Sequence, residues 1–187
     1  MIRKYNDTSK LSAHFSAREF RCKCSNQHDY ITDDTLVAKL ETLFNILGCD
    51  KIIVTSGYRC PTHDKTVGGT GSGKHVEGTA ADIMCYRGGK VLSSKIVCCA
   101  AQDVGFNGIA NINKANTATH VDMAARKWKG DETVTTSKSI TDDFYKYYHM
   151  TKSDVYPNAP TSTKTKTKIK VTMEFDDHRY SGLLEEE

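Results

Sequence analysis

An acidic residue inside an apolar run constrains the fold of this chain more than any other feature. Asp82 lies within Thr79–Tyr86 (TAADIMCY), a run whose composition predicts a largely buried β-strand. An isolated ionised carboxylate in such a strand would cost many kcal/mol of folding free energy, so a cation should accompany it. The fold must therefore bring positive charge to Asp82.

Two histidines from separate stretches of the chain can reach Asp82. His75 precedes it by an odd offset that would place the two on opposite faces of one strand, but Gly78 permits a sharp turn between them. His120 lies in a strand-like run about forty residues later. Two imidazoles and one carboxylate leave the fourth tetrahedral position open, which is typical of catalytic zinc. We therefore predict that His75, Asp82 and His120 bind one Zn²⁺ per chain.

Asp122 projects from the same strand face as His120, because residues two apart in a strand share a face. Zinc lowers the pKa of bound water to roughly 7, and a nearby base must then handle the proton. Asp122 is the candidate for this catalytic role. It can equally orient a metal-binding histidine without transferring a proton. The remaining histidines are interpreted as structural: His14, His28, His63, His149 and His178.

The hydrophobic pattern predicts an α+β fold. Helical spacing predicts amphipathic helices that end at Gly48 and at Gly105, and a Ser16/Glu19 capping box predicts a brief helix. The sixteen residues after Tyr58 are predicted to form a long functional surface loop. The predicted helices cover 16–21, 32–47, 90–104 and 141–150, and the predicted strands cover 51–58, 79–86, 106–112 and 117–124, the last two as an antiparallel hairpin.

A change in composition after Tyr156 predicts where the main domain ends. Residues 156–168 are polar, rich in Lys and Thr, and lack apolar periodicity, which is typical of a linker. Residues 169–187 alternate apolar and polar residues and are interpreted as a hairpin-like tail that would not be stable alone. The predicted organisation is a domain over 1–155, a linker over 156–168 and a tail over 169–187.

Charge and apolar content exclude several classes of function. The net charge is only +3, and the sequence has no dense cluster of Lys and Arg such as a nucleic-acid binder needs. This charge still permits attraction to an anionic polymer. The sequence contains no run of about 18 apolar residues, the length needed to span a bilayer. Its first twenty residues lack the continuous apolar stretch of a signal peptide. We expect no nucleic-acid partner, no membrane insertion and no export by an ordinary signal peptide.

Seven cysteines are many for 187 residues, but their odd number argues against a secreted disulfide framework. Cys85, Cys98 and Cys99 lie in apolar runs and are interpreted as buried thiols. Cys22, Cys24 and Cys60 leave three alternatives open: free thiols, a disulfide from Cys60 to Cys22 or Cys24, or a structural zinc site with His63. The Cys-x-Cys and Cys-x-x-His spacings match standard zinc motifs poorly.

Several motifs together resemble the zinc D-Ala-D-Ala carboxypeptidases and related phage endolysins. The resemblance covers about residues 11–125, and its combination of motifs is specific. The matching segments are Phe15-Ser-x-x-Glu19-Phe-x-Cys22-x-Cys24, Thr55-Ser-Gly-Tyr-Arg59-Cys, His63, Val67-Gly-Gly, His75-x-x-Gly78-x-Ala80-x-Asp82 and His120-Val-Asp122.

This resemblance implies a hedgehog/DD-peptidase fold, with a small antiparallel sheet, flanking helices and zinc in a cleft. It implies that His75, Asp82 and His120 bind the zinc, and that Arg59 contacts the substrate and takes part in catalysis. Many members carry Ser two residues before the first zinc-binding His; here Gly73 holds that position, and the adjacent Ser72 is the candidate for substrate binding. Several members carry an acidic base three residues before the last zinc-binding His, where this chain has Thr117.

The implied function is zinc-dependent hydrolysis of peptide bonds in bacterial peptidoglycan, by a D-Ala-D-Ala carboxypeptidase or an endolysin-type endopeptidase that recognises the stem peptide. We expect a cytoplasmic protein that acts at the cell wall after release, as a phage or prophage lysin does. One alternative is a non-catalytic module of the same fold that binds the cell wall or a protein. A second is a nucleic-acid protein that uses cysteine-bound zinc. Oligomeric state is not determined by the sequence.

Overall fold

The N-terminal part of the chain combines short strands with two main helices. A computed structural model describes residues 1–134, 142–157, 169–175 and 178–184, the last two ranges by their backbone alone. The chain divides into two compact units, Met1–Pro157 and Asn158–Glu187. In the first unit, β1 (Ile2–Arg3) pairs with β2 (Tyr30–Ile31), and a 3-10 helix, Ala17–Phe20, lies between them.

The longest helix, α1 (Asp34–Leu47), has sequence signals at both ends. The Asp33 side chain accepts a hydrogen bond from the backbone N–H of Leu36, which is otherwise unpaired in the first turn. Gly48 ends the helix in the left-handed conformation, with φ of 59°. The 3-10 helix begins with the reverse contact, because Glu19 in its first turn accepts hydrogen bonds from the backbone N–H and the hydroxyl of Ser16. Local side-chain chemistry therefore defines both helices.

A six-stranded sheet forms the centre of the first unit. Its strand order is β3-β4-β7-β6-β8. The short strand β5 pairs with the C-terminal end of β4, at Tyr86 and Arg87. All pairs are antiparallel except β6 and β8, which are parallel. The strands are β3 (Lys51–Ser56), β4 (Ala80–Arg87), β5 (Lys90–Val91), β6 (Gly108–Asn111), β7 (Thr119–Asp122) and β8 (Trp128–Asp131).

The remaining helices of this unit are α2 (Pro61–Thr66), α3 (Lys74–Glu77), α4 (Ser94–Val104), α5 (Phe144–Tyr148) and α6 (Lys152–Val155). Helices α1 and α4 bury their apolar faces in one core with the row Ala81, Val121 and Ile109, which are register partners on three adjacent strands. Side chains alternate between sheet faces along a strand. The neighbouring row, which contains Asp82 and His120, therefore points away from this core.

The prediction of an α+β fold is confirmed, whereas three local predictions need correction. The predicted loop, residues 59–74, contains α2, and α3 begins at its last residue, Lys74. The predicted helix over 90–104 begins only at Ser94, because Lys90 and Val91 pair with β4 and Ser93 caps the helix. The predicted helix over 141–150 is limited to α5, and residue 141 lies outside the described residues.

In the second unit, β9 (Ile169–Phe175) and β10 (His178–Leu184) pair antiparallel with Phe175 opposite His178. Most of the linker predicted over 156–168 lies outside the described residues, which resume at Ile169. Among the helices in the described part of the chain, none combines the length and the apolar character needed to cross a membrane.

Candidate metal centre

Strand register brings Asp82 and His120 side by side. They are direct partners in the antiparallel pair β4–β7, so both side chains leave the same face of the sheet. Asp82 Oδ1 lies 2.9 Å from His120 Nδ1. The residues on either side of Asp82, Ala81 and Ile83, are fully buried in the core. The apolar strand that was predicted around Asp82 therefore supports a polar pair on its other face.

His75 reaches this pair from α3, a helix of a single turn. Gly78 ends that turn with φ of 72°, a conformation that side-chain-bearing residues rarely adopt, and the chain then enters β4. A Cβ atom on Gly78 would also lie 2.5 Å from the backbone oxygen of Ile31. Glycine is thus required both by the turn and by the close approach of another strand.

The three donor atoms form a nearly equilateral triangle. His75 Nε2 lies 3.2 Å from His120 Nδ1 and 3.2 Å from Asp82 Oδ1, and the third side is 2.9 Å. A tetrahedral zinc ion with ligands at about 2.0–2.1 Å holds its donor atoms about 3.3 Å apart. The triangle therefore has the size and the chemistry that three of the four zinc ligands require.

Outer hydrogen bonds orient each donor atom toward the centre of the triangle. His75 donates from Nδ1 to the backbone oxygen of Gly57 at 2.7 Å, which leaves the Nε2 lone pair free. His120 donates from Nε2 to Asp122 Oδ2 at 3.2 Å, which directs Nδ1 toward Asp82 Oδ1 and His75 Nε2. Arg59 donates to Asp82 Oδ2, so only Oδ1 faces the two rings. These contacts are typical of a metal site in which the protein fixes tautomers and ring orientation.

The electrostatic environment favours positive charge at this point. Burial lowers the pKa of His120, but hydrogen bonds with Asp122 and Asp82 outweigh it and raise the pKa to about 9. Burial acts to raise the pKa of Asp82, yet the two histidines hold it well below its ordinary value. The cluster therefore stabilises a cation and an ionised carboxylate together.

The triangle lies in an open cleft with a volume of about 460 Å³. The walls come from the segment after β3, from Ile112 just after β6, and from both ends of β8, where Trp128 begins the strand and Glu132 follows it. Trp128 packs edge-on against the His120 ring, with ring centroids 6.3 Å apart. The lining residues are Arg59, Val67, Gly68, Gly69, His75, Asp82, Ile112, His120, Trp128 and Glu132.

Arg59 and Asp122 occupy different positions relative to the cleft. Arg59 lines it, and its Nε donates to Ser56 Oγ at 2.8 Å. Asp122 is buried beside His120, and its second oxygen accepts a hydrogen bond from the backbone N–H of Ala124 at 2.8 Å. The structure thus brings Asp122 to the His120 ring on the side remote from Asp82, and Asp122 is not among the residues that line the cleft.

Two other positions singled out by the sequence lie apart from the cleft lining. Ser72 is exposed, and its hydroxyl lies 3.3 Å from the Thr70 hydroxyl. Thr117 belongs to the turn between β6 and β7, where its hydroxyl accepts a hydrogen bond from the Asn113 amide. Neither is among the residues that line the cleft.

Sequence reasoning missed Glu132 and Trp128 as cleft residues. Glu132 directly follows β8 and its backbone N–H donates to the Asn111 oxygen, so the parallel β6–β8 pair carries it to the cleft. Among the described residues that line the cleft, Asp82 and Glu132 are the carboxylates. Burial raises the pKa of Glu132 above its ordinary value. No local sequence motif predicts that Glu132 lines the cleft, because its position depends on the pairing of β6 with β8, which are separated in sequence.

Comparison with known proteins agrees with this geometry. The family model described as Peptidase M15 matches residues 13–122, a span that includes Arg59 and all three residues of the triangle. A search of curated proteins finds no match to the chain.

Proposed function

Because the chain belongs to the peptidase M15 family, whose members are zinc-dependent peptidases, we propose that it hydrolyses peptide bonds of bacterial peptidoglycan. We assign zinc binding to His75, Asp82 and His120. The observation that carries this proposal is the triangle of donor atoms, with sides of 2.9–3.2 Å, inside an open cleft of about 460 Å³. Zinc, when bound, supplies Lewis acidity that polarises a carbonyl group and lowers the pKa of water.

The chain's own residues prepare the site for this chemistry. Gly57 and Asp122 hold the two imidazoles in the tautomers that present Nε2 of His75 and Nδ1 of His120. We therefore assign Asp122 to positioning, the second of the two roles that its sequence permits. Its two oxygens are both engaged by protein donors, so proton transfer in the cleft requires another group.

We assign that proton transfer to Glu132. It lines the same cleft as the triangle, and burial raises the pKa of its carboxylate, which strengthens it as a general base. It would accept a proton from attacking water and return it to the leaving amine. Glu132, which directly follows β8, would thus supply the acidic group that several family members carry at the position of Thr117.

Arg59 is assigned to binding an anionic group of the substrate. Its side chain is largely buried, and Ser56 and Asp82 fix the Nε and one terminal nitrogen. Its other terminal nitrogen lies 3.5 Å from Asp64, at the limit of a hydrogen bond. A guanidinium held in this way suits a carboxylate or the oxygen that gains charge during attack. The stem peptide of peptidoglycan, which carries carboxylates, fits this chemistry.

Digestion of purified peptidoglycan by the full-length protein tests the proposal. We expect new amino groups to be released, and mass spectrometry of the fragments to identify a D-Ala-D-Ala, L-Ala-D-Glu or cross-bridge bond. His75→Ala should lose both zinc and activity. Glu132→Gln should keep its zinc and lose about 10²–10⁴-fold in kcat. Glu77→Gln is the matched control, because Glu77 is exposed and its carboxylate pairs with Lys74 on the helix that carries His75.

Two results would contradict the proposal in different ways. Zinc-loaded protein that binds peptidoglycan without cutting it, across pH and metals, would establish a binding module of the same fold. Steep salt-dependent DNA binding with metal retained in His75→Ala would instead support a nucleic-acid protein. We also propose that the protein acts at the cell wall after release from the cytoplasm, as a phage or prophage lysin does; lysis of bacteria only after co-expression with a membrane-permeabilising protein would support this location.

A further inference from the structure

A second group of metal-binding side chains lies outside the triangle and the cleft lining. The donor atoms of Cys22, Cys24, His28 and Cys60 all lie within 4.8 Å of one another. Cys24 Sγ is 3.1 Å from His28 Nε2. All seven cysteines of the chain are free thiols in this structure. Three thiols and an imidazole from two distant parts of the sequence therefore converge at one point.

We propose that these four residues bind a second zinc ion in a closed, structural site. Zinc bound at about 2.3 Å by sulfur and about 2.0–2.1 Å by nitrogen holds tetrahedral donors roughly 3.4–3.8 Å apart. The observed group is compact enough for that geometry. It fills all four positions with protein atoms, so no position is left for water or substrate, in contrast to the three-residue triangle. This inference goes beyond the proposed peptidase function and does not rest on it.

Hydrogen bonds around the group favour metal binding by these atoms. His28 Nδ1 lies 2.8 Å from the backbone oxygen of Asp29, to which it donates, so the lone pair of Nε2 faces the sulfurs. The backbone N–H of Cys60 donates to Cys22 Sγ, and that of His63 donates to Cys60 Sγ, each at 3.4 Å. Amide donors stabilise the thiolate form that zinc requires. His63 thus contributes its backbone N–H, and His28, rather than the His63 considered in the sequence analysis, is the histidine of this group.

The local fold explains what such an ion would do. Residues 22–29 form neither helix nor strand, so little regular backbone pairing holds this segment in place. Zinc binding supplies folding free energy to segments of this kind. The ion would fasten residues 22–28 to Cys60, next to the point where Tyr58 donates its backbone N–H to the Phe20 oxygen at 2.8 Å. The role is therefore a clamp between the N-terminal segment and the segment that follows β3.

Metal stoichiometry tests the clamp directly. Full-length protein purified under reducing conditions with zinc should carry two zinc ions per chain by native mass spectrometry and elemental analysis. Cys24→Ser and His28→Ala should each carry one, and Cys24→Ser combined with His75→Ala should carry none. His63→Ala is the matched control and should keep two, because the His63 side chain is not in the group.

A spectroscopic measurement covers the case in which these variants fail to fold. Cobalt-loaded His75→Ala should show the near-ultraviolet charge-transfer band of a thiolate–cobalt bond, since only the second group contains sulfur. The proposal is overturned if the wild-type protein holds a single zinc that Cys24→Ser retains, if that band is missing, or if the intact mass reveals a disulfide involving Cys22, Cys24 or Cys60. Each readout is independent of peptidase activity, so the outcome is separate from the test of the proposed function.

Discussion

Replacing Gly108 with alanine should weaken zinc binding at the triangle, although Gly108 has no side chain to offer a metal. Gly108 lies opposite Asp122 in the β6–β7 pair, and the Asp122 carboxylate occupies the space above it. An added Cβ atom would lie 2.0 Å from Asp122 Oδ2 and 2.3 Å from its Cγ. Real Cβ atoms essentially never approach other atoms so closely, so the carboxylate must move.

The size of the effect follows from that displacement. Ordinary contact begins at 3.4 Å, so Asp122 Oδ2 must retreat by about 1.4 Å and Cγ by about 1.1 Å. The hydrogen bond from His120 Nε2 is already 3.2 Å long, at the upper end of the normal range, and would break. Loss of an outer partner of a metal-binding histidine costs about 10–100-fold in metal affinity, or roughly 1.4–2.8 kcal/mol. The N–H of Ala124, which also donates to Asp122, would lose its acceptor and add about 1–3 kcal/mol of destabilisation.

Competition with a chromophoric chelator measures the zinc dissociation constant of each variant, and a double-mutant cycle isolates the cause. Asp122→Ala removes the group that the new Cβ would strike. Gly108→Ala should therefore change the dissociation constant by less than about twofold in the Asp122→Ala background. An equal loss in both backgrounds, or wild-type affinity in Gly108→Ala alone, would refute this reasoning.

The remaining predictions concern the segment after β3, the substrate and the domain boundary. Gly57→Ala should lower the free energy of unfolding by about 1–3 kcal/mol in urea titrations, because its Cβ would lie 2.6 Å from the Phe20 backbone; an unchanged midpoint would contradict the close packing. Arg59→Lys should reduce kcat/KM by about 10–100-fold, because a single ammonium cannot contact Ser56 and Asp82 while also binding a carboxylate. Kinetics on a soluble stem peptide would measure this loss, and a wild-type kcat/KM would exclude a role of Arg59 in substrate binding. A chain ending at Pro157 should unfold cooperatively and bind zinc as the full chain does, because the whole described core belongs to residues 1–157. Calorimetry measures this, and loss of the cooperative transition would show that the tail is required.

The elements that the sequence predicted well have local causes. Helix α1 combines a continuous apolar stripe with an Asp33 cap and a Gly48 terminator, so nearly all the information lies within sixteen residues. Strands β3 and β4 are rich in β-branched and apolar residues. Propensity, periodicity and capping agree in these segments, and tertiary packing does not override them.

The elements that the sequence missed are short and depend on distant partners. Helix α3 has four residues and β8 has four, lengths at which isolated helices and strands are not stable. Helix α2 was hidden in a Thr-, Lys- and Gly-rich stretch, although Pro61 at its first turn is a favourable start. The composition of this stretch therefore predicts a loop, whereas tertiary contacts stabilise short helices there.

The same contrast applies to the two metal groups. A charged residue in an apolar strand, together with the turn at Gly78, was enough to nominate the residues that the structure brings together at the triangle. Glu132 and His28 carried no such signal. Glu132 reaches the cleft through a parallel strand pair, and His28 through an irregular segment whose path no periodicity describes. The sequence analysis considered His63, three residues after Cys60, as the fourth ligand and interpreted His28 as structural, although His28 lies only four residues after Cys24.

The segment from Ser56 to Cys60 connects the two proposed metal sites. Gly57 fixes the tautomer of His75, Arg59 holds Asp82, and Cys60 belongs to the second group. An ion that restrains Cys60 would therefore restrict the backbone that orients two residues of the triangle. Linkage requires any such coupling to be reciprocal, so if zinc at the second group strengthens binding at the triangle, zinc at the triangle must strengthen binding at the second group by the same factor. The proposed clamp would therefore connect the N-terminal segment to the cleft through Cys60 without contributing a residue to the cleft lining.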